Sequence, residues 1–227
     1  MDTSLNAGNL HRTAKYFMDS GRAQTHEEAV SILERFGLTV HVGPEIGSSI
    51  HQQTALLTLI NVARRTLLGG VEIIGLPNAI TVSPLFPLLS LRDAVQSCGG
   101  HVFAVPRPEW PSAVIGNPDG IRTNSPCWRL TWGGWRGGVV PLRDGRRLPE
   151  KEAIELAPVL AAGACAAEVF AYHAGDHIMA GRRSSGLSLW KPGKDWLSDR
   201  KSRKKPSERL GFPYRTLPNP RRRGRRL

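Results

Sequence analysis

Cysteine is scarce in this 227-residue chain: Cys98, Cys127 and Cys165 are the full set. The odd count, the wide spacing and the lack of any Cys-x-x-Cys argue against a disulfide framework, and reduced thiols in a cytoplasmic protein are the expectation. The N-terminus MDTSLNAGNLHRTAKYF has no apolar run and no small-residue cleavage pattern, so no secretory signal is read there. No G-x-G-x-x-G stands after a strand, so the dinucleotide fingerprint is missing, and no G-x-S-x-G offers a nucleophile. Acids are nearly missing from one region. From Arg200 to Leu227 there are 12 Lys and Arg against Glu208 alone, which leaves 19 basic and 18 acidic residues in the first 199. The net charge of +12 therefore belongs to the tail, and the body is close to neutral.

What is present is globular in kind: 40% hydrophobic and 22% charged residues, enough for a real core. Residues 1–37 read as two packing helices. Leu10, Ala14 and Phe17 recur at helical spacing, with a stop at Gly21. Thr25 and Glu28 form a capping box; Ala29, Ile32, Leu33 and Phe36 form one apolar stripe, and Gly37 suits the left-handed position after the helix.

From residue 38 the period changes. LTVHV is a strand, GPEIGSS a turn, and IHQQTALLTLINVARRTLLGG a helix ended by Gly69 and Gly70. VEIIGL, the helix PLLSLRDAVQSCGG, HVFAV and AVIG follow. Strand, turn, helix, strand, helix, strand is the pattern of a parallel sheet with right-handed crossover helices. WRLTWGGWRGGVVPL then reads as an antiparallel hairpin, with Trp128, Leu130 and Trp132 alternating with polar residues. EKEAIELAPVLAAGACAAEVFAYHAG is helical, with Pro158 marking where a short helix gives way to a longer one. That longer segment is too short, and carries too few large aliphatics, to read as a membrane span. The expected fold is a Rossmann-like three-layer α/β domain over 38–199, with a partly parallel sheet, a small antiparallel extension, a helical N-terminus and a basic tail at 200–227. The tail holds four prolines and no period, so it is expected to be disordered and to bind polyanions without sequence preference.

Two stretches invite a site. In HVGPEIGSSI, Gly43, Gly47 and Ser48 lie between a strand and a helix start, where backbone amides can face a phosphate. Pro44 removes a donor and Glu45 repels an anion, so a structural turn is the favoured reading. In HAGDHIMAGRRSSGLSLW, Arg182, Arg183, Ser184 and Ser185 can take an anion or serve an interface, and pairing with Glu168 or Asp176 is the plainer use. His173 and His177 have metal-compatible spacing, but Gly175 ends the helix between them. No metal or catalytic residue is assigned.

The phrases DSGRAQTHEEAVSILERFGLTVHVG, HQQTALLTLINVARRTLLGGVEIIG, WGGWRGGVVPL, PVLAAGACAAEVF and GDHIMAGRRSSGLSLWKPGKDWL resemble the N-terminal part of long bacterial ThiF-family proteins, relatives of the ubiquitin-activating enzymes. The resemblance covers about residues 1–199. It implies a degenerate adenylation-type half that precedes an active half, which uses ATP and magnesium to adenylate a ubiquitin-like C-terminus. For this chain it implies no cofactor, and as partner the missing active half or a second copy, with a ubiquitin-like modifier beyond. None of the family's ATP-binding residues falls on a matching position. The switch to Pro- and Arg-rich text near Asp199 suggests a truncated or frame-shifted fragment, a reading that translation of the downstream DNA in the other two frames tests. An ATP-dependent adenylyltransferase in its own right and a tail-mediated nucleic-acid binder are the alternatives.

Overall fold

A computed structural model describes residues 11–84, 86–121 and 125–198. The expected basic tail at 200–227 lies outside the described residues. The helices are α1 (His11–Asp19), α2 (His26–Leu33), α3 (Ile50–Ala63), α4 (Leu91–Ser97) and α5 (Leu156–Ala174). The strands are β1 (Gly37–Val42), β2 (Gly70–Ile74), β3 (His101–Val102), β4 (Ser112–Ile115), β5 (Cys127–Gly133), β6 (Arg136–Pro141) and β7 (Ser185–Ser188). They form one sheet in the order β3-β2-β1-β4-β5-β6-β7. The first five run parallel, while β6 and β7 pair antiparallel.

Alternation along the strands sorts the side chains onto two unlike faces. Leu38, Val40, Val71, Ile73, Ala113, Ile115, Trp128, Leu130 and Trp132 join one apolar cluster with α3, α4 and α5. Trp128 and Trp132 are fully buried there. Because β1, β2 and β3 step in one direction across the sheet, crossovers of one hand keep α3 and α4 on one side. The helices α3 and α5 pack directly against each other on that side.

The other face is polar. Thr39 stands in register with Glu72 on one side and Ser112 on the other, and all three are buried. Here the chain returns from β3 to β4 without a helix, so irregular segments build the third layer. Arg107 Nε donates to Glu72 Oε1 at 2.6 Å, and its guanidinium lies over Trp110 at 4.5 Å. Trp110 occupies the space a side chain on Gly37 would need: an added Cβ would stand 2.0 Å from the indole. Further along, Trp196 packs over Gly138 and Gly186 and joins Val140 and Leu148.

Several local expectations change. Gly37 is no helix terminator. α2 ends at Leu33, and Gly37 opens β1, where it is required by the approach of Trp110. The Thr25 cap forms, with Thr25 Oγ1 accepting from Glu28 N, but the Glu28 carboxylate takes the amide of Gln24 rather than of Thr25. No short helix precedes Pro158. Glu150 and Glu152 there adopt positive φ, and the segment instead bridges Ala153 to Gly134. HVFAV is a strand over only two residues. The stretch 185–188, read as part of a connector, pairs with β6 as an edge strand. α5 is long and apolar enough to cross a membrane by length and composition, but it packs on β5 and β6.

Candidate functional site

From β1 the chain moves to β2 on one side, while β4 lies on the other. In open parallel sheets such a reversal leaves a crevice beyond the strands' carboxyl ends, where ligands commonly bind. Two turns meet here: Gly43–Ser49 after β1, and Gly116–Asn117 after β4.

The first turn is a 3-10 turn, Pro44–Gly47, not an open glycine loop. Its donors point inward. Gly43 N donates to Ile115 O at 2.9 Å, Ile46 N to Gly43 O at 3.2 Å, and Ser48 N and Ser49 N both to Glu45 O at 3.1 Å. Ser48 Oγ turns to the same carbonyl at 3.4 Å. Gly47 faces the 77–79 segment, its absent Cβ 3.3 Å from Ala79. Fully buried Gln53 locks the turn, donating to Ile46 O at 3.0 Å and accepting from Val82 N at 2.8 Å. Ser49 caps α3 by accepting from Gln52 N.

Glu45 then closes the crevice. Its carboxylate accepts from Asn117 Nδ2 at 2.6 Å and from Asn117 N at 3.3 Å. A Cβ on Gly43 would stand 2.3 Å from Glu45 Oε2 and 2.4 Å from Asn117 N, so only glycine admits this arrangement. Arg147 bonds Asn117 Oδ1 and forks onto Glu150 at 2.7 and 2.5 Å. Arg129, reaching up from β5, donates to Gly116 O. The hydrogen bonds from Asn117 hold the Glu45 carboxyl below its usual pKa. The bond to Glu150 raises Arg147, while burial lowers Arg129. Donors that could have met an anion therefore meet acceptors of the protein itself.

Arg182–Ser185 lie elsewhere. Arg183 Nε donates to Glu168 Oε1 at 2.8 Å, its NH1 contacts His177 Nε2, and Glu168 is 2% exposed. Ser184 accepts from Arg146 at 3.1 Å, Ser185 begins β7, and Arg182 is exposed. His173 is bonded to Gly37 O at 2.8 Å and stacks on Phe36, whereas His177 faces Arg183, so the histidine pair is split by Gly175 in the left-handed conformation. Among the described residues no group of three His, Cys, Asp or Glu could hold a metal. Burial pushes the Cys127 thiol up to about 12 and the Cys165 thiol up as well, which disfavours the nucleophilic thiolate.

Asn117, Arg129, Arg147, Glu150 and Gln52, whose side-chain amide lies beside Gly116, were not legible as a group. They are spread over 99 positions, and only the strand order brings them to one crevice. The useful local signal is Asn117-Pro118 directly after AVIG, a turn at the end of a strand.

Residues 37–189 match the BilD N-terminal domain family. Over 197 residues the chain is 55% identical to the bacterial E1-like protein BilD of Collimonas sp. (strain OK412), which spans 87% of this chain and 43% of that protein. The chain thus covers less than half the length of this curated relative. Among solved structures, E. coli MccB with selenomethionine MccA aligns at a TM-score of 0.48 and 10% identity, covering 80% of this chain and 71% of that one. E. coli MccB alone aligns at 0.44 and 11%, covering 77% and 69%.

Proposed function

The chain belongs to the BilD N-terminal domain family, and from that membership we propose that it is the non-catalytic half of an E1-like machine, a module that docks an active adenylation half. The observation that carries the reading is the Glu45 carboxylate held over Gly43 and Gly116. ATP and magnesium do not fit this crevice. A nucleotide needs unpaired amides that face it and an uncharged gap for its phosphates. Here the amides of Gly43, Ile46, Ser48 and Ser49 already have acceptors, Pro44 has no N–H, and a carboxylate stands where the anion would come.

The chemistry implied by the ThiF-like resemblance, transfer of an adenylyl group from ATP to the C-terminal carboxylate of a ubiquitin-like modifier, falls to the other half. This chain contributes a rigid sheet and surfaces to hold that half and, through it, the modifier. Support comes from the relative's length, since more than half of the E1-like protein lies beyond the match. The test is calorimetric titration of this chain with ATP and Mg2+. No heat is expected at millimolar nucleotide; a saturable heat would make the chain a nucleotide binder in its own right and overturn this reading.

A further inference from the structure

A soluble core helix ordinarily carries polar residues on its outer side. α5 does not. Its sequence LAPVLAAGACAAEVFAYHA holds Glu168, Tyr172 and His173 as its only polar side chains. Glu168 is buried and taken by Arg183, and His173 is taken by Gly37. The side turned away from the core is formed by Leu156, Leu160, Gly163 and Ala167, which fall within one narrow strip at helical spacing. Leu156 is 60% exposed, Ala167 is exposed, and open space lies where a side chain on Gly163 would go.

Gly134 at the β5–β6 turn bonds residues 152 and 154, just before α5. Next to it Trp135 meets Trp190, ring centroids 5.4 Å apart, and Leu189 N donates to Trp135 O. Trp190 is 65% exposed. An aromatic pair thus stands near the start of an uncharged helical strip, with the exposed Lys151, Glu152 and Glu155 at the junction. Exposed aromatics and an apolar strip bordered by charged residues are the composition of an interface centre with its polar rim, not of a solvated face.

We propose that this surface, the Leu156–Ala167 strip with the Trp135–Trp190 pair, is where the rest of the E1-like protein docks. The proposal rests on the function proposed above. The occupant is the region beyond the match, because the curated relative carries more than half its length there, joined to a domain 55% identical to this one. Small side chains at Gly163 and Ala167 let the two backbones come close, toward the lower end of the roughly 8–10 Å range of helix packing. Arg183 belongs to this design: by holding Glu168 it keeps the helix's one acid off the docking face.

The experiment coexpresses the full chain with the portion of the Collimonas protein that lies beyond the match. Complex formation is read by size-exclusion chromatography and by dissociation on dilution. The native chain is expected to form a one-to-one complex. Gly163→Leu and Ala167→Arg should each weaken it at least a hundredfold without lowering the melting temperature of the chain itself, since both sites are open and Gly→Leu favours the helix. Ile178→Ser, 82% exposed and past the C-terminal end of α5, should leave it unchanged. No complex with the native chain would overturn the functional reading together with this one. A complex indifferent to Gly163→Leu and Ala167→Arg would overturn the surface alone, as would a native homodimer that these substitutions dissolve.

Discussion

The crevice beyond β1 and β4 and the outer side of α5 are opposites. The crevice is polar, and each charged group there already has a partner: Glu45 has Asn117, Arg147 has Glu150, and Arg129 has Gly116 O. The helix side is apolar, and no described segment covers Leu156 or Ala167. Open parallel sheets commonly take ligands at the crevice, and the expected order is reversed here. The place for a small molecule is shut, and the place for a protein is open. A self-satisfied polar network resists a ligand because each bond offered to it must first be broken, at roughly 1 kcal/mol or more apiece. An apolar strip gains by burial, at about 25 cal/mol per Å2.

Substitutions can break this contrast from the closed side first. Arg183→Ala strips the buried Glu168 carboxylate of its cation. Loss of one partner of a buried pair costs roughly 3 kcal/mol, though Arg183 is itself only partly buried, so the melting temperature should fall by about 6–10 °C in calorimetry. Gly43→Ala forces a methyl against the Asn117 backbone and the Glu45 carboxylate. About 2 kcal/mol of destabilisation is expected in urea titration, and a neutral result would mean the crevice is looser than the geometry states.

On the open side the sign reverses. Gly163→Ala should raise stability by about 1 kcal/mol, because helix propensity improves and no neighbour is met. The smallest effect is a pH dependence. The Glu45 carboxyl is lowered in the folded chain, so its contribution is fully present above the usual glutamate value and fades as pH falls through the lowered one. Thermal melts between about pH 5 and 3 should show a shallower acid loss in Glu45→Gln than in the native chain.

Much of the fold could be read in advance, and for physical reasons. LTVHV, VEIIGL and AVIG announce parallel strands because buried strands are nearly all apolar or β-branched, and WRLTW announces a hairpin strand by strict alternation. Gly175 ends its helix where a glycine stop is expected, while Ser90, unread as a cap, starts the second crossover helix inside PLLSLRDAVQSCGG. Gly37 misled because a glycine after a helix and a glycine under an indole look alike in sequence, and Trp110 lies 73 positions away. β7 was missed because Ser-Gly-Leu-Ser carries no strand propensity; β6 and Trp196 hold it in place. At the candidate site Glu45 and Pro44 already argued against phosphate. Asn117 and Arg147, which make that argument geometric, depend on strand order.

The central claim is that this chain docks an adenylation half and binds no nucleotide itself. Equilibrium dialysis of ATP against the coexpressed complex tests it most directly. The account predicts one ATP per pair, retained in full when Glu45→Arg and Arg147→Ala are introduced here. Two ATP per pair, or loss of a bound nucleotide on those substitutions, would contradict it.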